Sequence, residues 1–207
     1  RTNAVPLRRG LPVELGTIGR LDPDAIDRVR DEVAPDPRTP DELHDLLLAL
    51  VVTPANEAWR PLFDRLAARG RVQSAGRGNE HGGVHARELW WATENAGQAA
   101  VVVAGAPDEA HPREQVAAAV LRGHLDLSGP VTVPALAARS GLDEATVGVG
   151  LAVLENDGFV IQGRFTVAAD TADAVTAETG APPVAPALPD PTDTEWCARR
   201  LLARMHS

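Results

Sequence analysis

Residues 130 to 167, PVTVPALAARSGLDEATVGVGLAVLENDGFVIQGRFTV, limit the fold more tightly than any other stretch. Thr132 can accept from a free N–H at a helix start, and Pro134 suits a first turn, where a missing N–H costs nothing. Gly141 ends that helix, because glycine accepts the positive φ of a tight turn. Asp143 caps a second helix, with Leu142 before it as a staple residue. Val147, Leu151 and Leu154 recur at helical spacing on one face, and Gly158 closes the helix. Phe159 to Val167 then alternates with a period of two, which predicts strand. Upstream, Arg113 to Leu127 predicts another helix with Val116, Val120 and Leu121 on one face. Helix, helix–turn–helix and wing over 113–167 is the order of a winged helix.

A similar order precedes it. Thr39-Pro40-Asp41-Glu42 is a capped start, and Leu43, Leu46, Leu47 and Leu50 make a helix face that Pro54 breaks. A helix over 56–69 places Trp59, Leu62, Phe63 and Leu66 together and stops at Gly70. A strand over 71–74, a glycine-rich tip over 76–83 and a return strand over 89–93 follow. The endings Leu66…Gly70-Arg71-Val72 and Leu154…Gly158-Phe159-Val160 match, so 39–103 and 113–167 read as a divergent tandem repeat. The expected fold class is α+β, mainly α, with tandem winged-helix modules on Pro/Gly/Ala-rich linkers. In this layout residues 1–38 are an extended segment plus a helix capped by Asp22, and 104–112 are a linker. Residues 168–191 are a Pro-rich, poorly ordered linker, and 192–207 hold the first helix of a truncated third module, capped by Thr192 or Asp193. Arg1 is not a start methionine and Met205 is the sole methionine, so the chain is expected to be part of something longer.

Charge and composition exclude several classes. All 20 basic residues are arginine. With no lysine there is no P-loop lysine, Schiff base or Ser-Lys dyad. Cys197 is the single cysteine, so no internal disulfide forms, as suits a reducing cytoplasm. No apolar run reaches the length of a membrane span, and no signal-peptide pattern opens the chain. The net charge of −9 disfavours a protein that coats nucleic acid but leaves room for a local basic patch.

That patch is expected in the first unit. Over 113–167, Arg113, Arg122, Arg139 and Arg164 face six carboxylates, and the helix in the recognition position is acidic (Asp143, Glu144, Glu155, Asp157). Over 60–87, six arginines face only Asp64 and Glu80. Phosphate contacts dominate nucleic-acid affinity and need cations, so Arg65, Arg69, Arg71, Arg77 and Arg87 are the candidate contacts. Trp90 and Trp91 could stack on bases, but neighbours on a strand point to opposite faces, which predicts one core residue and one interface residue. EHGGVHARE (Glu80 to Glu88) lacks a third fixed ligand set, so no metal is expected. Arg199 and Arg200 beside Cys197 could lower its pKa, but a buried, inert thiol is the commoner outcome. No residue pattern supports a catalytic group.

Three segments carry a resemblance to a known family: Leu21 to Leu50, the unit ending Leu89 to Ala96 (LWWATENA), and Thr194 to His206 (TEWCARRLLARMH). They resemble the C-terminal region of large helicase-related (Lhr) proteins, long bacterial ATP-dependent 3′–5′ DNA helicases linked to DNA repair. The resemblance implies a parent whose motor domains bind ATP and Mg²⁺ and act on single-stranded DNA or a DNA/RNA hybrid. None of the motor motifs is in this sequence. It further implies a non-catalytic fragment without cofactor or metal, acting as scaffold, homo-oligomerisation surface or DNA-path element beside other domains of its chain. The alternative is a free-standing winged-helix transcriptional regulator, which should carry a basic recognition helix and a dimerisation element.

Overall fold

The computed structural model describes residues 21–77, 87–166 and 194–205. The extended segment expected over 1–20, the Pro-rich linker over 168–191, and His81, His85 and Glu80 lie outside these residues. The described residues are mainly helical, with two three-stranded antiparallel sheets. Helix α1 (Pro23–Val33) starts at Asp22, whose side chain accepts from the Asp24 N–H. Helix α2 (Pro40–Leu50) starts at Thr39, whose hydroxyl accepts from the Glu42 N–H at 3.2 Å. Then come β1 (Thr53–Pro54), a 3₁₀ turn (Glu57–Trp59), α3 (Arg60–Ala67), β2 (Val72–Arg77) and β3 (Arg87–Ala92). After a second 3₁₀ turn (Thr93–Asn95) and α4 (Ala96–Ala104), the chain forms α5 (Arg113–Asp126), β4 (Val131–Thr132), α6 (Val133–Ser140), α7 (Glu144–Asn156) and β5 (Val160–Gly163). Strand β6 (Glu195–Ala198) and α8 (Arg199–Met205) complete it.

The helix–turn–helix stretch folds for the reasons its residues give. Thr132 Oγ1 accepts from the Ala135 N–H, Asp143 Oδ1 accepts from the Thr146 N–H at 2.7 Å, and Gly141 takes φ +76°. One element order recurs. In 40–92 a helix, a short strand, a 3₁₀ turn, a helix and two strands build a sheet of order β1-β3-β2; in 113–198 a full helix stands in the place of the 3₁₀ turn, and the sheet has order β4-β6-β5. In both, the last strand sits in the middle.

Several expectations are corrected. The helix expected from Thr194 begins only at Arg199, and Glu195–Ala198 is a strand because β4 and β5 offer hydrogen-bonding edges on both its sides. These residues therefore complete the second sheet, and α8 packs on α1. The alternation over Phe159 to Val167 yields only the four-residue strand β5; its partner comes from 195–198, and Phe165 turns into the core. The helix over 56–69 divides into a 3₁₀ turn and α3. Helix α4 was not legible from its run of alanine and valine.

Three apolar clusters hold the chain. One joins Leu43, Leu47, Phe63, Leu66, Val72 and Trp90. The largest combines Val52, Leu89, Trp91 and α4 residues with Val116, Leu121, Leu136, Leu151 and Leu154. The third joins Leu21, Ile26 and Val29 to Phe165, Cys197, Leu201 and Met205. Strand β3 feeds two of them, because successive side chains leave opposite faces. Trp90 stacks on Phe63 (centroids 4.0 Å apart) on one face, while Leu89 and Trp91 enter the large cluster on the other. Both tryptophans are buried, which corrects the expectation that one would be an interface residue.

The segments 40–92 and 113–198 therefore share a core. Helix α2 crosses α5 at Gly123, where a Cβ would lie 2.2 Å from the Ala49 carbonyl oxygen. Beside it, buried His124 donates from Nε2 to the Val52 carbonyl at 2.9 Å. The chain reaches that carbonyl through Val51, at φ 64°, ψ −61°, with the Val52 N–H donating to Leu50 O at 2.8 Å. This is a γ-turn of the rare, strained type. A β-branched residue holds it only because the surrounding core fixes the chain on both sides. Arg200 to Asp126 (2.6 Å), Arg30 Nη2 to Pro130 O (3.0 Å) and the Arg204–Glu32 ion pair dock α1 and α8 onto the second repeat and each other.

Candidate nucleic-acid interface

The candidate surface is built on α3 and the β2–β3 hairpin. Asn56 sets the start of this segment, its Oδ1 accepting from the Ala58 N–H at 2.9 Å. Phe63 and Leu66 face inward, so the face carrying Arg65 and, just past the helix end, Arg69 points to solvent. These two arginines lie four residues apart, which places them on one side of the turn. Neither makes an ion pair among the described residues.

The other arginines of the segment behave differently. Arg71 donates to Asp41 at 2.8 Å and to Nδ1 of buried His44 at 2.9 Å. Arginine only donates, so Nδ1 of that ring accepts, and Nε2–H is left to donate to Glu94 at 3.2 Å. The Glu94 carboxyl lies below the usual range, chiefly through its own backbone N–H and secondarily through His44. Arg71 is thus the link in a chain Asp41–Arg71–His44–Glu94 that ties α2 to the end of the hairpin. Arg87 donates to the Ala138 carbonyl at 3.1 Å, a tie between the repeats. Arg77 ends β2 opposite Arg87 in the register, and its side chain lies outside the described residues.

Arg60, which counted toward the basic balance, is also engaged. It forks onto Glu88 at 2.8 and 3.3 Å, reaches Glu57 at 2.8 Å, and lies 4.6 Å from the Trp90 ring centroid. Its hydrogen bonds hold the Glu88 carboxyl down at about 2. The charge balance of this segment therefore overstates its free cations: Arg60, Arg71 and Arg87 make internal contacts, and among the described side chains the exposed pair Arg65 and Arg69 remains.

In 113–198, α7 is the helix just before the strand β5, as α3 is before β2. Its exposed residues are Glu144, Ala145, Gly148, Val149, Ala152, Glu155 and Asn156, with no cation among them. Cys197 is fully buried, and burial pushes its thiol up to about 12, the reverse of activation. No group of three or more ligating side chains able to hold a metal occurs among the described residues. No described helix is long and apolar enough to cross a membrane.

The surface that sequence reasoning missed lies where the repeats meet. A cleft of about 380 Å³ opens between β1 with the 3₁₀ turn on one side and α5 with α6 on the other, and Arg139 stands at its edge. The sequence displays Arg139 as one more arginine at a helix end. Only the crossing of α2 over α5 sets it opposite Trp59 and Asn56. No protein-family model, curated protein or solved structure matches the chain.

Proposed function

We propose that this chain is a non-catalytic pair of winged-helix units from an Lhr-type ATP-dependent DNA helicase, serving as a rigid scaffold and as part of the path of a single strand. The observation that carries the reading is the repeated element order with the same sheet order, joined through a shared core. A regulator that reads a duplex needs cations on its recognition helix, and α7 presents carboxylates and small residues instead. A scaffold needs the reverse: bonded surfaces, strained joints fixed by packing, and few free charges. Arg65 and Arg69 are the contact for the sugar–phosphate backbone in this reading.

Fluorescence anisotropy of a labelled oligothymidylate with the purified chain tests it. Binding that weakens with salt and weakens again in the Arg65→Ala/Arg69→Ala double variant supports the reading. Turnover of ATP or excision of a base by the chain alone would overturn the non-catalytic part.

A further inference from the structure

The cleft between the repeats brings together three groups that no internal contact uses up. Trp59 is half-buried, packed against the first repeat's cluster on one side and lining the cleft on the other. Asn56 lines the same cleft, and its Oδ1 accepts from the Ala58 N–H, which leaves its amide N–H₂ without a partner among the described residues. Arg139 is exposed at the edge, in the last turn of α6, and makes no hydrogen bond or ion pair among the described residues. Pro35, Leu50 and Leu127 supply apolar wall, and Thr53 and His124 also line it, the His124 Nε2–H being used on the Val52 carbonyl.

The acidic groups nearby are already bonded. Glu57, which also lines the cleft, is paired with Arg60 at 2.8 Å. A second cavity of about 470 Å³ abuts the first at Ala138 and Arg139. There the Glu195 carboxylate is taken up by the Phe165 and Thr166 N–H groups, at 2.7 Å each, and by the Thr166 hydroxyl. Arg30 in that cavity is held by Pro130 O and Asp27. Glu195 keeps its negative charge within these bonds, at the far end of the second cavity's lining, and the guanidinium of Arg139 is the cation of the groove that makes no ion pair among the described residues.

An indole beside a small apolar cleft, an amide donor and one unpaired guanidinium together match a planar ring that carries hydrogen-bonding edges and an anionic group. We infer that the cleft between the two repeats binds a nucleotide unit, its base beside Trp59 with an edge on the Asn56 amide, and its phosphate on Arg139. Stacking on an aromatic ring tolerates any base, and a single arginine fixes one phosphate, so the site selects for an unpaired nucleotide rather than for sequence. A base inside a duplex keeps its faces stacked and does not enter. The site rests on the proposed role in a single-strand path and places a contact away from α3.

Anisotropy with fluorescein-labelled dT10 and U10, with thymidine monophosphate as competitor and a labelled duplex as control, tests this on the full chain. Arg139→Ala is expected to weaken dT10 binding on the order of tenfold. The salt dependence should become shallower by about one phosphate contact. Trp59→Leu should weaken binding to a similar extent. Competition by the monophosphate indicates that a free nucleotide suffices, and its failure indicates that the strand is needed; either result upholds the site. Arg139 is exposed, so the variant's unfolding midpoint should match the parent. If dT10 binds but Arg139→Ala and Trp59→Leu leave the affinity unchanged while Arg65→Ala/Arg69→Ala lowers it, the cleft is excluded and the scaffold reading with its α3 contact stands. No binding of dT10 or U10 by the parent chain overturns both.

Discussion

Replacing Gly123 by alanine probes the joint between the repeats. A Cβ there would lie 2.2 Å from Ala49 O, 2.9 Å from Ala49 C and 3.0 Å from Leu50 Cα. All three are backbone atoms of α2, so no side chain can swing away. The helices must part by roughly 1 Å, loosening the packing around Val52, Leu121 and Leu125 and lengthening the His124–Val52 hydrogen bond. Overpacking of this kind costs about 1–3 kcal/mol. Exchanging glycine for alanine inside a helix returns about 1 kcal/mol, and the disrupted hydrogen bond costs about 1 kcal/mol more. The net expectation is a loss of about 2 kcal/mol, or roughly 4–8 °C in Tm for a chain of this size. Gly148 is the internal control: it lies in α7, and a Cβ added there would meet nothing within 4 Å, so Gly148→Ala should stabilise by about 0.5–1 kcal/mol. Urea unfolding followed by tryptophan fluorescence and far-UV circular dichroism reads both. If Gly123→Ala stabilises the chain as Gly148→Ala does, α2 does not cross α5 where the structure puts it, and the shared core is refuted.

Three other outcomes follow from buried groups. Burial lowers the His124 pKa from 6.5 to about 4. The folded state then binds fewer protons than the unfolded state between those values, so stability is complete above pH 6.5 and falls by up to about 3 kcal/mol as the pH drops towards 4. Urea midpoints measured from pH 7.5 to 5 should show this slope, and His124→Gln should flatten it. Glu195→Ala leaves the buried Phe165 N–H and the Thr166 N–H without their acceptor, for a loss of about 3 kcal/mol by the same assay; a neutral effect would contradict the role given to that carboxylate. Cys197, fully buried with its thiol near 12, should react with a thiol reagent only when denaturant is added; fast labelling of the native chain would contradict its burial.

Much of the local architecture was legible because capping chemistry is local. Asp22, Thr39, Thr132 and Asp143 each accept from the backbone N–H their sequence positions suggested, and Gly70, Gly141 and Gly158 take the positive φ expected of them. What was not legible depends on distant partners. ARRLLARMH has helical spacing, and nothing within it says that the four residues from Glu195 fill the gap between β4 and β5. Gly123 looks like an ordinary weak point in a helix until Ala49 is found against it. The candidate surface was legible as composition only. Arg60, Arg71 and Arg87 are neutralised or engaged by residues 28, 30 and 51 positions away in sequence, a relation that charge counting cannot see. Arg139 was passed over for the same reason, since its opposite wall belongs to the other repeat.

Differential scanning calorimetry of the intact chain tests the shared core most directly. Two repeats packed into one body predict a single transition whose calorimetric and van't Hoff enthalpies agree. Two resolved transitions, or a calorimetric enthalpy well above the van't Hoff value, would mean that the repeats melt separately, and would contradict the single rigid block on which the proposed role depends.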